Sequence, residues 1–336
     1  MSKPAHQPKQ GRGSAPPLPG TQAGLVVASF GRHVLVETPS GQRVICHPRG
    51  KKNQAVVGDQ VRWLPTQDEG TLEKIEERSN LFYRQDEMRT KSFAANLDQV
   101  LILIAAEPEF SESQLTRALI AAEAEHITPV IALNKSDLAE PFGRAWTKLA
   151  PYRAMGYQML PLAIKPKIDA AAAAGPDDTQ PAQLLELMAL LRGKKTLVLG
   201  PSGAGKSSLT NLLVPDARVL TAEISQALNS GKHTTTSTTL YWVDANSDGA
   251  RTTALIDSPG FQEFGLHHIE PMQLANYMPD FKAHAQDCKF YNCTHLHEPG
   301  CGVILEVKST ARPSTISASR YRLYSELFAE LSQTRY

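Results

Sequence analysis

Brief apolar runs, few longer than six residues, dominate the first third of the chain, and a different rhythm follows them. Residues 25–30, 33–37, 42–47, 60–64 and 71–76 are rich in Val, Ile and Thr, and Gly31-Arg32, Ser40-Gly41, Gly58-Asp59 and Glu69-Gly70 separate most of them as turns. Five short strands in so small a stretch predict a closed barrel of the OB type, whose exposed face and loops commonly hold nucleic acid. An SH3-like barrel or a protein-binding OB domain would show the same pattern.

An acidic connector around residues 69–87 ends this rhythm. Residues 99–106 then form a continuous apolar strand of the buried type, and Ser111-Glu112-Ser113-Gln114 reads as a capping box opening a helix to about residue 125. Further strands are expected at 127–133, 157–162 and 196–199, with helices at 183–191 and 207–213. Residues 170–181, an Ala run followed by Gly-Pro-Asp-Asp, read as a loose insertion. Such alternation predicts an α/β domain with a parallel sheet. Near the end, Tyr321, Tyr324, Leu327, Phe328 and Leu331 recur at helical spacing and predict a packed terminal helix that reads no cofactor. The longest apolar run, 100–106, falls far short of the ~20 residues that cross a bilayer, so no membrane partner is expected.

The expected fold class is therefore multidomain. A tail over 1–20 precedes an all-β OB barrel over 21–92, a central α/β phosphate-loop domain over 93–268 and a C-terminal α-helical segment over 269–336. A hydrophobic fraction of 41% and a charged fraction of 21% in 336 residues suit a globular protein. The first 20 residues lack an apolar signal core and read as a disordered tail. With four cysteines and no export signal, a reducing cytoplasm is the simplest location, which turns attention from disulfides to metal. The net charge of +1 hides an asymmetry: residues 1–65 carry nine Lys or Arg against only Glu37 and Asp59. Three of the nine, Lys3, Lys9 and Arg12, lie in the tail, while Arg32, Arg43, Arg49, Lys51, Lys52 and Arg62 fall within the barrel pattern. The excess points to a polyanion partner, or else to a solubilising tail.

Chemistry enters at two places. Gly200-Pro201-Ser202-Gly203-Ala204-Gly205-Lys206-Ser207-Ser208 contains G-x4-G-K-S between an apolar strand and a helix. Its glycines let successive N–H groups turn inward around a phosphate, Lys206 adds a point charge at the β- and γ-phosphates, and the Ser207 hydroxyl can complete a Mg²⁺ shell. The loop alone cannot choose a base. Asn134-Lys135-Ser136-Asp137 can: the Asp137 carboxylate suits the guanine N1–H and exocyclic amine, a donor pair that adenine does not offer. Asn134 would brace the loop and Lys135 lie along the base, although the same four residues also make a plain polar turn after a strand. Asp257-Ser258-Pro259-Gly260 adds a D-x-x-G element for metal and γ-phosphate. In an ordinary GTPase the phosphate loop comes first; here the base reader precedes it, so the chain looks circularly permuted.

Cys288, Cys293, His295 and Cys301 form C-x4-C-x-H-x5-C, holding three of the four cysteines of the chain. Three thiolates and one imidazole fill a tetrahedral Zn²⁺ shell and leave no position for a substrate water, so one structural zinc ion is expected. His297 competes with His295 for the imidazole place.

These motifs, with Val57-Gly58-Asp59-Gln60-Val61, Ala94-Ala95-Asn96-Leu97-Asp98-Gln99 and Gly231-Lys232-His233-Thr234-Thr235-Thr236, resemble the ribosome small-subunit-dependent GTPases of the RsgA (YjeQ/YloQ) type over about residues 21–336. The resemblance implies an OB domain, a permuted G domain and a zinc domain on a monomer that binds GTP and GDP and acts late in small-subunit assembly. It also implies ribosomal RNA near the decoding region as the partner, with release after GTP hydrolysis, sometimes together with other assembly factors. Thr235 matches the Mg²⁺-binding switch residue, completing a set with Ser207 and Asp257, and His233 matches the family's candidate for orienting water, a role beside that of Lys206. Two departures stand out. The element closing over the base, often Ser-Ala, is Pro161-Leu162-Ala163 here, and Phe261 follows D-x-x-G where Ras-like enzymes place a water-orienting Gln. Two rival classes are an RNA-binding assembly module with GTP as a near-inactive timer and a GTP-powered RNA-processing enzyme; the second lacks paired carboxylates or an open metal site.

Overall fold

The computed structural model describes residues 19–30, 33–49, 54–67, 69–86, 90–164, 179–215, 217, 238–244, 251–260, 264–310 and 314–333. The tail, most of the Ala-rich insertion, Phe261 and the stretch holding His233 and Thr235 lie outside these residues.

Five strands build the barrel: β1 (Gln22–Phe30), β2 (His33–Glu37), β3 (Arg43–Pro48), β4 (Gln60–Pro65) and β5 (Gly70–Ile75). They pair in the order β1-β2-β3-β5-β4, with β3 and β5 parallel, and β4 returns to β1. Closure removes the free edges that a five-stranded sheet would otherwise expose. Val26, Val36, Val61, Trp63 and Leu72 fill the interior from alternate positions of their strands.

A hairpin of β6 (Leu81–Gln85) and β7 (Thr90–Ala95) leaves the barrel. Its Phe82 and Phe93 pack on Phe264, with ring centroids 5.8 and 6.2 Å away. The stretch expected to be an acidic connector thus contains, beyond the expected strand β5, the unforeseen β6. Its charges hide the alternation, because only Phe82 of β6 is fully buried.

The α/β part comprises β8 (Gln99–Ala105), β9 (Thr128–Asn134), β10 (Gln158–Pro161), β11 (Lys195–Leu199), β12 (Thr238–Trp242) and β13 (Ala254–Asp257), ordered β10-β9-β8-β11-β13-β12. Only β12 is antiparallel to its neighbour in this set. Every residue of β8 is buried because both faces of the sheet are covered. Ile102 and Ile104 enter one core with Leu115, Leu119 and Leu197, while Leu101 and Leu103 enter the other with Leu187, Leu209 and Leu255. The helices are α1 (Glu112–Ala124), α2 (Ala139–Lys148), α3 (Ala150–Ala154), α4 (Thr179–Leu191) and α5 (Lys206–Leu213). Ser111 caps α1 by accepting from Gln114 N at 3.3 Å, as the capping box predicts.

Barrel and α/β sheet are continuous, since β1 pairs with β12 through Ala28–Thr239 and Ser29–Thr238. Glu37, buried at 5% exposure, fastens the junction. Its carboxylate accepts from Trp242 Nε1 at 2.7 Å, Arg251 at 2.6 Å and Arg43 at 3.0 Å.

The C-terminal part holds a 3-10 helix (Pro271–Tyr277), α6 (Pro279–Ala285), α7 (Gly302–Val307) and α8 (Ala318–Leu331). Arg320 of α8 is 2% exposed and forks onto Asp280 of α6 at 2.9 and 3.0 Å, then donates to Thr116 of α1 at 2.9 Å. Removing one partner of such a buried pair costs about 3–5 kcal/mol, so the pair locks α8 to α6, and the Thr116 contact ties them to the α/β domain. Among the described residues no helix is long and apolar enough to cross a membrane.

Candidate nucleotide and metal sites

Three motifs distant in sequence meet at one end of the sheet. β9 ends at Asn134, β11 runs into Gly200 and β13 ends at Asp257, all at carboxyl ends of parallel strands around β8. The chain runs outward through β8, β9 and β10 and then returns to place β11 beside β8. Open α/β sheets bind ligands in the crevice beyond the strand ends where the order reverses in this way.

The phosphate loop there has Gly203 at φ +80° and Gly205 at φ +105°, left-handed values that favour glycine. A Cβ on Gly205 would also stand 2.4 Å from Asn134 Nδ2, so the loop and the base motif approach more closely than any side chain would allow. Lys206 Nζ donates to the carbonyls of Gly200 at 2.7 Å and Pro201 at 2.9 Å. Burial lowers the Lys206 pKa, and Asp257 opposes the shift. Burial likewise pushes the Asp257 carboxyl up to about 6, against Lys206 and the Ser258 N–H. Gly260 lies against the same loop, where a Cβ would be 3.1 Å from Lys206 Nζ and 3.5 Å from Ser202 N. Ser258 Oγ donates to Val198 O at 2.7 Å and ties D-x-x-G to β11. Ser207 is exposed in the first turn of α5, as a metal-facing hydroxyl requires.

Asn134, 2% exposed, is the staple between base motif and phosphate loop. Its Nδ2 donates to Ala204 O at 2.9 Å, and its Oδ1 accepts from Ile164 N at 2.9 Å. Ser136 N donates to Leu162 O at 2.9 Å, which sets the 161–163 stretch against the base motif. Lys135 sits at φ +66°, and Asp137 is exposed at the lip. Gln183 of α4 joins this group, accepting from Ala163 N at 3.0 Å and donating to Ser136 Oγ at 3.3 Å. No motif in the sequence marked Gln183.

Cys288, Cys293, His295 and Cys301 offer four ligand atoms, all within 4.8 Å of one another. His295 Nδ1 lies 3.4 Å from both Cys288 Sγ and Cys301 Sγ, and His297 is exposed, which resolves the choice of imidazole. Backbone N–H groups of Gly302 and Ile304 point at the Cys288 and Cys301 sulfurs at 3.3 and 3.4 Å. Donors aimed at sulfur stabilise thiolates, so the set fits Zn²⁺. Sequence reasoning missed the frame around the cluster. Glu298 accepts from Thr294 N at 2.8 Å and from Leu296 N and His297 N at 3.3 Å. Tyr321 and Tyr324 of α8, expected only to pack, also donate to His295 O and Thr294 O, each at 2.9 Å.

The basic excess of the barrel looks different in three dimensions. Arg43, Arg49 and Arg62 pair with Glu37, Glu73 and Glu76 at 3.0, 2.6 and 3.0 Å, and two of those acids come from residues beyond 65. Of the barrel cations named from the sequence, Arg32, Lys51 and Lys52 remain, and they lie outside the described residues.

A family model described as RsgA GTPase matches residues 75–267. The chain is 68% identical over 336 residues, all of both chains, to the small ribosomal subunit biogenesis GTPase RsgA of Variovorax paradoxus. To the protein of that name from Paraburkholderia xenovorans it is 49% identical over 312 residues, covering 92% of this chain and 93% of the relative. Its fold is similar to the crystal structure of YjeQ from Thermotoga maritima, with TM-score 0.67 and 28% identity over 94% of this chain and 100% of that one. It is also similar to YloQ, described as a circularly permuted GTPase, with TM-score 0.64 and 25% identity over 94% and 97%. With the permuted strand order, the convergent nucleotide motifs and these likenesses in view, the chain belongs to the RsgA family of circularly permuted GTPases, hydrolases acting on GTP.

Proposed function

We propose that this GTPase couples hydrolysis to late maturation of the small ribosomal subunit, binding ribosomal RNA near the decoding region and leaving as GTP becomes GDP. The observation that carries the reading is the pairing of β1 with β12. β12 begins three residues after Thr235, so a barrel strand is hydrogen-bonded to the strand that leaves the 231–236 switch stretch. A change of nucleotide at the switch then acts directly on the barrel. Relatives along the whole chain carry small ribosomal subunit biogenesis in their names, which supplies the partner.

In this reading Asp137 selects guanine, while Gly200 to Ser208 and Gly260 enclose the phosphates and Lys206 offsets their charge. Ser207, Thr235 and Asp257 would hold Mg²⁺, which would supply neutralisation of the phosphate charge. His233 orients the attacking water once the subunit orders the switch, since Phe261 cannot. Cys288, Cys293, His295 and Cys301 hold one structural zinc ion. The functional division follows: RNA-facing barrel through β5, nucleotide domain to residue 268 and zinc segment beyond, with the expected boundary at 92 falling inside β7.

Co-sedimentation with purified small subunits tests the reading. The protein should pellet with a non-hydrolysable GTP analogue and stay in the supernatant with GDP. Replacing Arg32, Lys51 and Lys52 by alanine should weaken pelleting and lower the salt slope by about three, if each meets one phosphate. Equal pelleting in both nucleotide states would refute the coupling.

A further inference from the structure

The base side of the crevice lacks the polar residues that usually hold it. Pro161, Leu162 and Ala163 carry no hydroxyl and no side-chain amide, so their stretch can grip the base motif only through its backbone. Its backbone grips include Ser136 N to Leu162 O, and the next residue adds Ile164 N to Asn134 Oδ1, both 2.9 Å. Neither reaches a side chain next to Asp137.

Gln183 does. Its amide oxygen accepts from Ala163 N at 3.0 Å and its amide nitrogen donates to Ser136 Oγ at 3.3 Å. Flipping the amide would set its NH₂ against the Ala163 N–H, so the two bonds fix its orientation together. The helix that carries it is firmly seated. Leu187 and Leu191 of α4 are buried at 1% exposure in the core that holds Leu160, Leu162 and Leu209. A rigid helix thus reaches across with one side chain to the two loops that flank the guanine position, and it contacts the residue preceding Asp137.

We propose that Gln183 is a positioning residue for guanine recognition, replacing from α4 the polar tie that the 161–163 stretch cannot make. The inference rests on the reading of Asn134 to Asp137 as the base reader. Loosening Ser136 frees the Asp137 carboxylate to drift from the guanine amine, which costs guanine more than it costs a base lacking that amine.

The test compares the full-length protein with its Gln183→Met, Gln183→Glu and Asp137→Asn variants, using fluorescent GTP for dissociation rates and competition by ITP and XTP for base preference. Gln183→Met keeps the volume and removes both bonds; it should release GTP on the order of tenfold faster and lower the GTP-over-ITP preference several-fold. Gln183→Glu can accept from both the Ala163 N–H and the Ser136 hydroxyl, so it should restore both quantities to within about twofold of wild type. A purely structural glutamine would instead lower the melting temperature and leave the GTP-over-ITP ratio unchanged. A wild-type dissociation rate and ratio in Gln183→Met, with Asp137→Asn turning towards XTP, would sink this inference alone. Asp137→Asn without that turn would take the base-reader reading down with it.

Discussion

The zinc cluster and the nucleotide crevice solve opposite problems. Four metal ligands come from a span of fourteen residues, Cys288 to Cys301, and face one another within 4.8 Å behind a frame of N–H···S bonds, Glu298 and two tyrosines. Nothing in that shell is left for a substrate. The crevice instead gathers groups from β9, β11 and β13, and burial strains its charged members: Lys206 rests on loop carbonyls, and Asp257 is pushed towards the protonated form. A closed local shell suits an ion that stays, whereas a site assembled from separate elements suits a ligand whose exchange moves those elements. Changes in the crevice should therefore alter turnover and leave the fold standing, and changes in the cluster should do the reverse.

The sharpest break comes from Lys206. Lys206→Ala removes the cation directed at the loop, and GTP hydrolysis at saturating nucleotide should fall by about a hundredfold or more, with the circular dichroism spectrum unchanged. Activity near wild type would dissolve the contrast between the two sites. His233→Ala comes next. It should keep GTP affinity and subunit binding while losing roughly tenfold to a thousandfold of subunit-stimulated single-turnover rate. Rates within twofold of wild type would move water positioning to another group, such as RNA supplied in trans.

On the cluster side, Cys293→Ser should remove zinc, measured by metal analysis, and lower the melting temperature by about 1–2 °C for each kcal/mol lost. GTP affinity should stay within about threefold of wild type, because Arg320 still pins α8 to α1. A tenfold loss of GTP affinity would show the two sites to be energetically coupled. The smallest effect concerns His268, which lies between D-x-x-G and the zinc segment. Its ring packs 4.4 Å from that of Tyr83, and neither ring nitrogen has a hydrogen-bond partner among the described residues. Burial and the neighbouring His267 lower its pKa to about 4, so the unfolded chain binds the proton first as pH falls below 6.5. Stability due to neutral His268 should be present above that pH and fade between about 6.5 and 4. Denaturant midpoints across this window should flatten in His268→Phe; an unchanged slope would place the acid sensitivity elsewhere.

What could be read from the chain divides along the same line as the two sites. The cluster is local, so spacing named its three thiols and narrowed the imidazole to His295 or His297, and the phosphate loop, base motif and D-x-x-G each carry their residue types in a few adjacent positions. The barrel strands and the buried β8 followed from period and turn residues. Partnerships between distant segments left no such mark. Gln183 is an ordinary helical glutamine until α4 folds back on the 161–163 stretch, and Glu37 resembles any strand carboxylate until β12 brings Trp242 beside it. Charge misled for the same reason: three barrel arginines look free along the sequence, yet meet acids across the strands of the fold.

The central claim is that a permuted nucleotide site is held slow until a small ribosomal subunit orders its switch. Multiple-turnover GTP hydrolysis, measured with and without purified small subunits over a range of concentrations, tests it most directly. The account predicts low turnover alone and a saturable rise on the order of tenfold or more with subunits, a rise that His233→Ala removes. The same rate at every subunit concentration, with wild-type protein that binds GTP, would contradict it.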